Sequence, residues 1–232
     1  MENNNILVLG SKPGSRLPDE NVVKIYSANG AAERAVQYRK KYLENSLICI
    51  AGAREFVRNE HVSRRIKEAK PEKFIIRSGI IDLPLELKNH TKLITLSNEE
   101  QWNFQSKFFT NKKISLFLSE IFHQLKVVDK IVHILKFIKY RNIWGVSTGF
   151  FAILLALEEN PESKIIISGI GMKGGKQFYK SERSNHFVYD SRARVDRFLI
   201  NRLLKKYKDR LCTLDPDFAE IANINQWTGN SF

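Results

Sequence analysis

The 232-residue chain carries 38 Lys+Arg against 25 Asp+Glu, a formal net charge of +13, and 43% of its residues are hydrophobic. That apolar content supports a real core and excludes global disorder, and the length fits one domain or one domain with an insertion. No apolar run approaches the ~20 residues that span a bilayer, and the opening Met1-Glu2-Asn3-Asn4-Asn5 is polar and acidic rather than cationic, so a cytoplasmic location is expected. Cys49 and Cys212 each sit inside an apolar segment and read as small core residues, not as a disulfide or metal framework.

The charge speaks to partners: nucleic acid, an anionic membrane face or a phosphorylated substrate. The basic clusters Arg39-Lys40-Lys41, Arg64-Arg65, Lys112-Lys113 and Lys205-Lys206 read as solvated helix faces. No helix-turn-helix, zinc-finger or RNP motif accompanies them, which sets nucleic acid aside.

In chain order, Ile6-Leu7-Val8-Leu9-Gly10 is a first strand that surfaces at a glycine, with Ser11-Lys12-Pro13-Gly14-Ser15 as the loop after it. Open α/β sheets place nucleotides at such carboxyl edges, although the glycine spacing matches neither the dinucleotide fingerprint nor a phosphate loop. Val22–Ser27 is a second strand stopping at Ala28-Asn29-Gly30, followed by a helix from about Ala31 to Leu43. Leu47–Ile50 is a third strand, then come a helix near Glu55–Ala69 and strands at Lys73–Arg77 and Lys92–Leu96. This alternation predicts a mostly parallel, Rossmann-like sheet flanked by helices.

From Leu118 to Ile138 apolar residues recur at helical spacing, with Lys126, Lys130, Lys136, Lys139 and Arg141 between and after them, within a basic segment spanning 112–141. Two readings stay open: a core helix packed on the sheet, or an amphipathic surface for an anionic membrane, where each lysine near the lipid contributes on the order of 1 kcal/mol.

The stretch Trp144–Met172 carries the strongest signals. Ser147-Thr148-Gly149 opens a short apolar helix over Phe150–Leu157, and the strand Lys164-Ile165-Ile166-Ile167 ends on Ser168-Gly169-Ile170-Gly171. A strand apolar at every position is covered on both faces. The Ser-Thr-Gly turn offers helix amino-terminal donors to an anion, or is simply the helix cap. A polar, glycine-containing loop over 172–190, expected to be mobile, includes Tyr179, His186 and Tyr189. A helix follows from about Ser191 to Lys206, then a strand at Leu211–Leu214 stopped by Asp215-Pro216, and a tail without assignment.

This order of signals resembles the bacterial sialyltransferase-like glycosyltransferases: strand-Gly-x-x-Pro, an Asn-ending second strand, Ser/Thr-Gly-Phe opening an apolar helix, strand-Ser-Gly-Ile, a His-bearing loop, and a strand ending Asp-Pro. The resemblance implies a GT-A-like variant of the Rossmann layering, as one domain with a helical or lid insertion. It implies a donor in which CMP activates an acidic sugar, sialic acid or 3-deoxy-manno-octulosonic acid (Kdo), with a glycan or glycolipid as acceptor. It places the cytidine phosphate on Gly10, Ser11, Asn29, Ser147, Thr148 and Gly149, and the backbone of Ser168-Gly169-Ile170 along the nucleotide. His186 becomes the general base, and Lys12, Tyr179 and Tyr189 candidates for the phosphate or sugar. Two departures, Lys12 before the proline and Gly171 where sialic-acid users carry an acidic residue, tilt the implied donor towards Kdo or another ulosonic acid.

The implied chemistry is self-consistent. An imidazole with a pKa near 6.5 suits a base at neutral pH, and preorganised donors suit a departing phosphate. No Asp-x-Asp pair stands at a strand end, so metal-independent, inverting transfer with no cofactor beyond the CMP-sugar is expected. A cytoplasmic membrane face fits a lipid-linked acceptor. The competing reading is a non-catalytic nucleotide- or polyanion-binding module of the same fold.

Overall fold

The computed structural model describes residues 4–43, 45–110, 113–140, 145–172 and 186–232, the side chains of 136, 137, 139, 140 and 186–192 excepted. Strand β1 (Ile6–Leu9) is central. β2 (Lys24–Ala28), β3 (Ser46–Gly52), β4 (Lys73–Arg77) and β5 (Lys92–Leu96) extend the sheet to one side; β6 (Ile165–Ser168), β7 (Leu211–Thr213) and β8 (Asn225–Gln226) extend it to the other. The order is β5-β4-β3-β2-β1-β6-β7-β8 with every pair parallel, a doubly wound, Rossmann-like α/β sheet.

Both faces are covered, which explains strands apolar at every position. Ile6, Val8, Tyr26, Ile48, Ile50, Ile165 and Ile167 point into one core. Helices α4 (Asn98–Phe109), α5 (Ile114–His123), α7 (Thr148–Glu159), α8 (His186–Tyr207) and α9 (Pro216–Ala222) contribute to that core. Leu7, Leu9, Ile25, Leu47, Cys49, Phe74, Ile76, Ile166 and Cys212 point into the other, under α1 (Ala32–Lys41), α2 (Ala53–Arg58) and α3 (Glu60–Ala69). Both thiols are free and buried in this second core, and burial pushes Cys212 up to about 11 and Cys49 further, the chemistry of inert packing residues.

Local chemistry sets the element ends. The helix expected over 55–69 is two: its chain turns at Asn59, whose side chain accepts the Val62 N–H at 3.4 Å and caps α3. The helix expected over 118–138 is also two, α5 and α6 (Val127–Tyr140), separated at Gln124-Leu125-Lys126. Helix α4 was not anticipated, yet Ser97 and Glu100 form a full capping box at its start. The unassigned tail makes α9 and β8, and its last residues pair with Leu17 through reciprocal backbone hydrogen bonds between Leu17 and Phe232. At the carboxyl end of α7, the Arg210 guanidinium donates to the Asn160 carbonyl at 2.6 Å and to the Leu157 carbonyl at 3.4 Å, satisfying orphan acceptors of the last turn.

The sheet's centre depends on two glycines. A Cβ at Gly10 would lie 2.2 Å from the Gly169 carbonyl oxygen, and one at Gly169, where φ is +72°, would lie 2.4 Å from that of Gly10. Backbone atoms cannot step aside as a side-chain end can. Gly10→Ala is therefore expected to cost roughly 3 kcal/mol or more, from overpacking and backbone displacement. Gly14→Ala, at φ +69° with nothing within 4 Å, should cost only about 1 kcal/mol for the left-handed backbone. Paired thermal melts check the contrast; equal losses would show that the β1–β6 approach is not the limiting feature.

Candidate functional site

Strand order reverses between β1 and β6, and open parallel sheets bind ligands outside the carboxyl ends at such a switch point. Register brings the two ends level, Leu9 pairing with Ser168. Gly10 and Gly169 stand just beyond. The Gly10 N–H donates to the Ser168 carbonyl and the Lys12 N–H to the Gly169 carbonyl, both at 2.8 Å. The Gly169 N–H donates to Asp215 Oδ2 at 2.7 Å. Ser168 is fully buried, and its hydroxyl donates to the Arg16 carbonyl. The Gly169 amide and the Ser168 hydroxyl thus hold the two turns to each other and to Asp215.

The remaining donors sit on α7. Ser147 is its N-cap, accepting the Phe150 N–H at 3.1 Å, and the first-turn amides of Thr148 and Gly149 have no carbonyl four residues back within the helix. A Cβ at Gly149 would approach Ile170 Cγ1 to 3.2 Å, so this turn rests directly on the residue after Gly169. Gly10, Gly149, Gly169 and Ile170 thus converge, with Ser147 and Thr148 half-buried on the same turn. Ser11 follows Gly10 and is buried. Asn29 follows the end of β2 in the left-handed region (φ 52°), and its Oδ1 is buried without a protein partner among the described residues. Lys12 is committed elsewhere: its ammonium pairs with Asp217 at 3.0 Å. Tyr179 lies outside the described residues, as do the side chains of His186 and Tyr189; the chain is helical from His186, where the sequence suggests loop to 190.

Sequence reasoning missed the groups that hold the α7 entrance. Buried Arg77, at the end of β4, donates to Gln101 Oε1 at 2.8 Å, to the Val146 carbonyl at 3.0 Å and to Thr148 Oγ1 at 3.4 Å, and its guanidinium lies 4.4 Å from the Phe151 ring centre. Gln105 accepts the Val146 N–H at 3.0 Å, and buried Asp196 of α8 accepts the Ser147 N–H at 3.1 Å. An arginine following the apolar Phe74-Ile75-Ile76 at the end of β4 was the available signal. Among the described residues no three His, Cys, Asp or Glu side chains are grouped to hold a metal ion.

No family model and no curated protein matches the chain. Two solved structures are similar in outline. One is the sialyltransferase CstII from Campylobacter jejuni with the substrate analogue CMP-3FNeuAc, at 13% identity and a TM-score of 0.36, covering 97% of this chain and 86% of that one. The other is sialyltransferase CST-II with a trisaccharide acceptor and CMP, at 12% identity and 0.37, with the same coverage. At these scores the likeness carries no argument about site or activity, and the fold rests on this chain's own strand order.

Asp215 offers a direct reading of the switch point. Burial is the largest influence on its carboxyl and raises it above the ordinary 3.8, while the Gly169 amide, Lys12 and the Ile170 amide pull it back. A raised carboxyl stabilises the fold most when protonated, and that contribution is lost as pH climbs through the folded-state value. Asp215→Asn keeps an oxygen for the Gly169 N–H and cannot ionise. Its melting temperature relative to the parent should rise from about pH 4 towards about pH 7. Melts across that window decide it; a difference that falls with pH would mean the amides and Lys12 outweigh burial.

Proposed function

We propose that the chain is a glycosyltransferase that moves an ulosonic acid, Kdo or sialic acid, from its CMP-activated form to a hydroxyl of a glycan or glycolipid. The observation that carries this reading is the convergence of the Gly10 and Gly169 turns with the amino terminus of α7 at the sheet's switch point. These are the segments whose motifs resemble the sialyltransferase-like enzymes. A nucleotide phosphate would lie over Ser147-Thr148-Gly149, where first-turn amides and the positive helix end favour an anion. Asn29, whose buried acceptor has no protein partner among the described residues, suits a donor group of the ligand. His186 is the proposed base for the acceptor hydroxyl and Tyr189 a proposed phosphate neighbour, both at the start of α8; Tyr179 is a further candidate for the phosphate or sugar. In-line attack would invert the anomeric centre, and leaving-group stabilisation by this chain's own donors needs no cofactor. A peripheral position at the cytoplasmic membrane face would bring a lipid-linked acceptor within reach.

The second reading, a nucleotide-binding module without turnover, is favoured by one specific observation. Lys12 and the Gly169 amide are already bonded to Asp217 and Asp215, which leaves fewer groups to neutralise a departing phosphate.

The decisive experiment offers CMP, CMP-Kdo and CMP-sialic acid. Saturation at a hundred times Kd should stabilise the fold by about 2.7 kcal/mol, several degrees in a chain of this size, and incubation with acceptor should release CMP. His186→Ala should abolish release and keep the CMP-induced melting shift. Shift without release in the parent would establish the binding module, and no shift with any cytidylate would end both readings.

A further inference from the structure

Helix α6 is turned inside out relative to an ordinary core helix. Val127, Val128, Ile131, Ile134, Leu135 and Ile138 are all exposed, from 47% at Ile134 to 73% at Val127, whereas Asp129 and His133 are 7% and 2% exposed. The exposed set recurs at steps of three and four, so it forms one continuous stripe along the helix. Leu116 of α5 adds a further exposed aliphatic side chain. Of the two readings left open by the sequence, packing of this stripe on the sheet is ruled out by its exposure. Among the described residues nothing in the chain covers it.

The charges carried by the same stretch of sequence identify what does. Residues 113–140 hold five lysines (Lys113, Lys126, Lys130, Lys136, Lys139) and two carboxylates, Glu120 and Asp129. Glu120 is ion-paired with Arg202 of α8, and Asp129 is buried, so neither opposes an anion at the surface. A second copy of the same helix would bring two basic segments together and repel. Nucleic acid would take the lysines but leave the aliphatic stripe in water. An anionic lipid interface takes both, the stripe entering the acyl boundary while lysines meet the headgroups. We infer that α6 is a docking surface for an anionic lipid bilayer, on which it lies in the interface plane. Among the described residues no helix is long and apolar enough to cross a membrane. This inference does not rest on the glycosyl-transfer reading, since it requires neither nucleotide nor turnover.

The test uses the full chain and vesicle co-sedimentation. Phosphatidylcholine vesicles with about one-third phosphatidylglycerol should bind at least about tenfold more strongly than phosphatidylcholine alone. The double variant Ile131→Glu, Leu135→Glu should lose about tenfold or more of that partitioning, with an unchanged thermal melt because both side chains are exposed. Ile134→Trp, a mild change that guards against misfolding of the double variant, should bind like the parent and add blue-shifted emission on the anionic vesicles. Three outcomes overturn the inference. Equal binding by the double variant would assign the attraction to charge alone. A concentration-dependent dimer that the double variant dissolves, without vesicle binding, would assign the stripe to a second copy. Retention on duplex DNA with no vesicle binding would assign the lysines to nucleic acid.

Discussion

The sheet depends on a backbone-to-backbone approach that admits no Cβ. Where β1 and β6 end, the carbonyl of each following glycine occupies the space in which the other would carry a side chain. Two hydrogen bonds close the contact, Gly10 N–H to Ser168 and Lys12 N–H to Gly169. Without that closeness β6 could not pair beside β1 while the chain turns away left-handed at Gly169, and Ile170 would not sit beneath the first turn of α7. The position of the α7 amino terminus is therefore a consequence of two missing methyl groups.

Among the described residues, the charges at this rim are more balanced than those of the whole chain. Asp215 faces the Gly169 amide, Asp217 holds Lys12, and Asp196 takes the Ser147 amide, against Arg77 beneath the helix start. Among the described residues, the excess positive charge is thus not simply pooled at the switch point. Attraction for an anion there would come from the oriented amides of Thr148 and Gly149, whose field acts within the first turn, rather than from a broad basic basin. That arrangement would favour a single phosphate held by backbone over a long polyanion tracked by side chains, in keeping with the proposed nucleotide donor.

Strands β1 to β7 were legible because their signal is local, apolar and often β-branched runs, with β4 and β5 read at their observed limits; the two-residue β8 in the tail was not. The convergence of Gly10 and Gly169 was legible only in part. Strand ends can be read from sequence, but which ends become neighbours follows from strand order. The Arg77, Gln105 and Asp196 shell was not legible, because a buried polar side chain is distinguished from a solvated one only by what folds over it. Helix α4 has a weak apolar stripe and buries Gln101, Gln105 and Ser106, so periodicity passed over it despite its capping box. For α6 the period was readable and the direction was not: spacing identifies an apolar face without saying whether the protein itself covers it.

Helix α5 and the rim are joined through aromatic packing. Phe117 of α5 stacks on Phe109 of α4 with centroids 5.8 Å apart and planes 9° from parallel, and Phe109 lies 6.3 Å from Phe150 in the first turn of α7. Phe104 of α4 packs 5.2 Å from Phe151, the ring under the Arg77 guanidinium. From the same helix Gln105 grips the Val146 amide just before the cap. Aromatic pairs of this kind add about 0.5–1.5 kcal/mol each beyond their buried area, and close-packed cores transmit displacement rather than absorb it. Helix α5 and the α7 entrance therefore share one packed wall through α4.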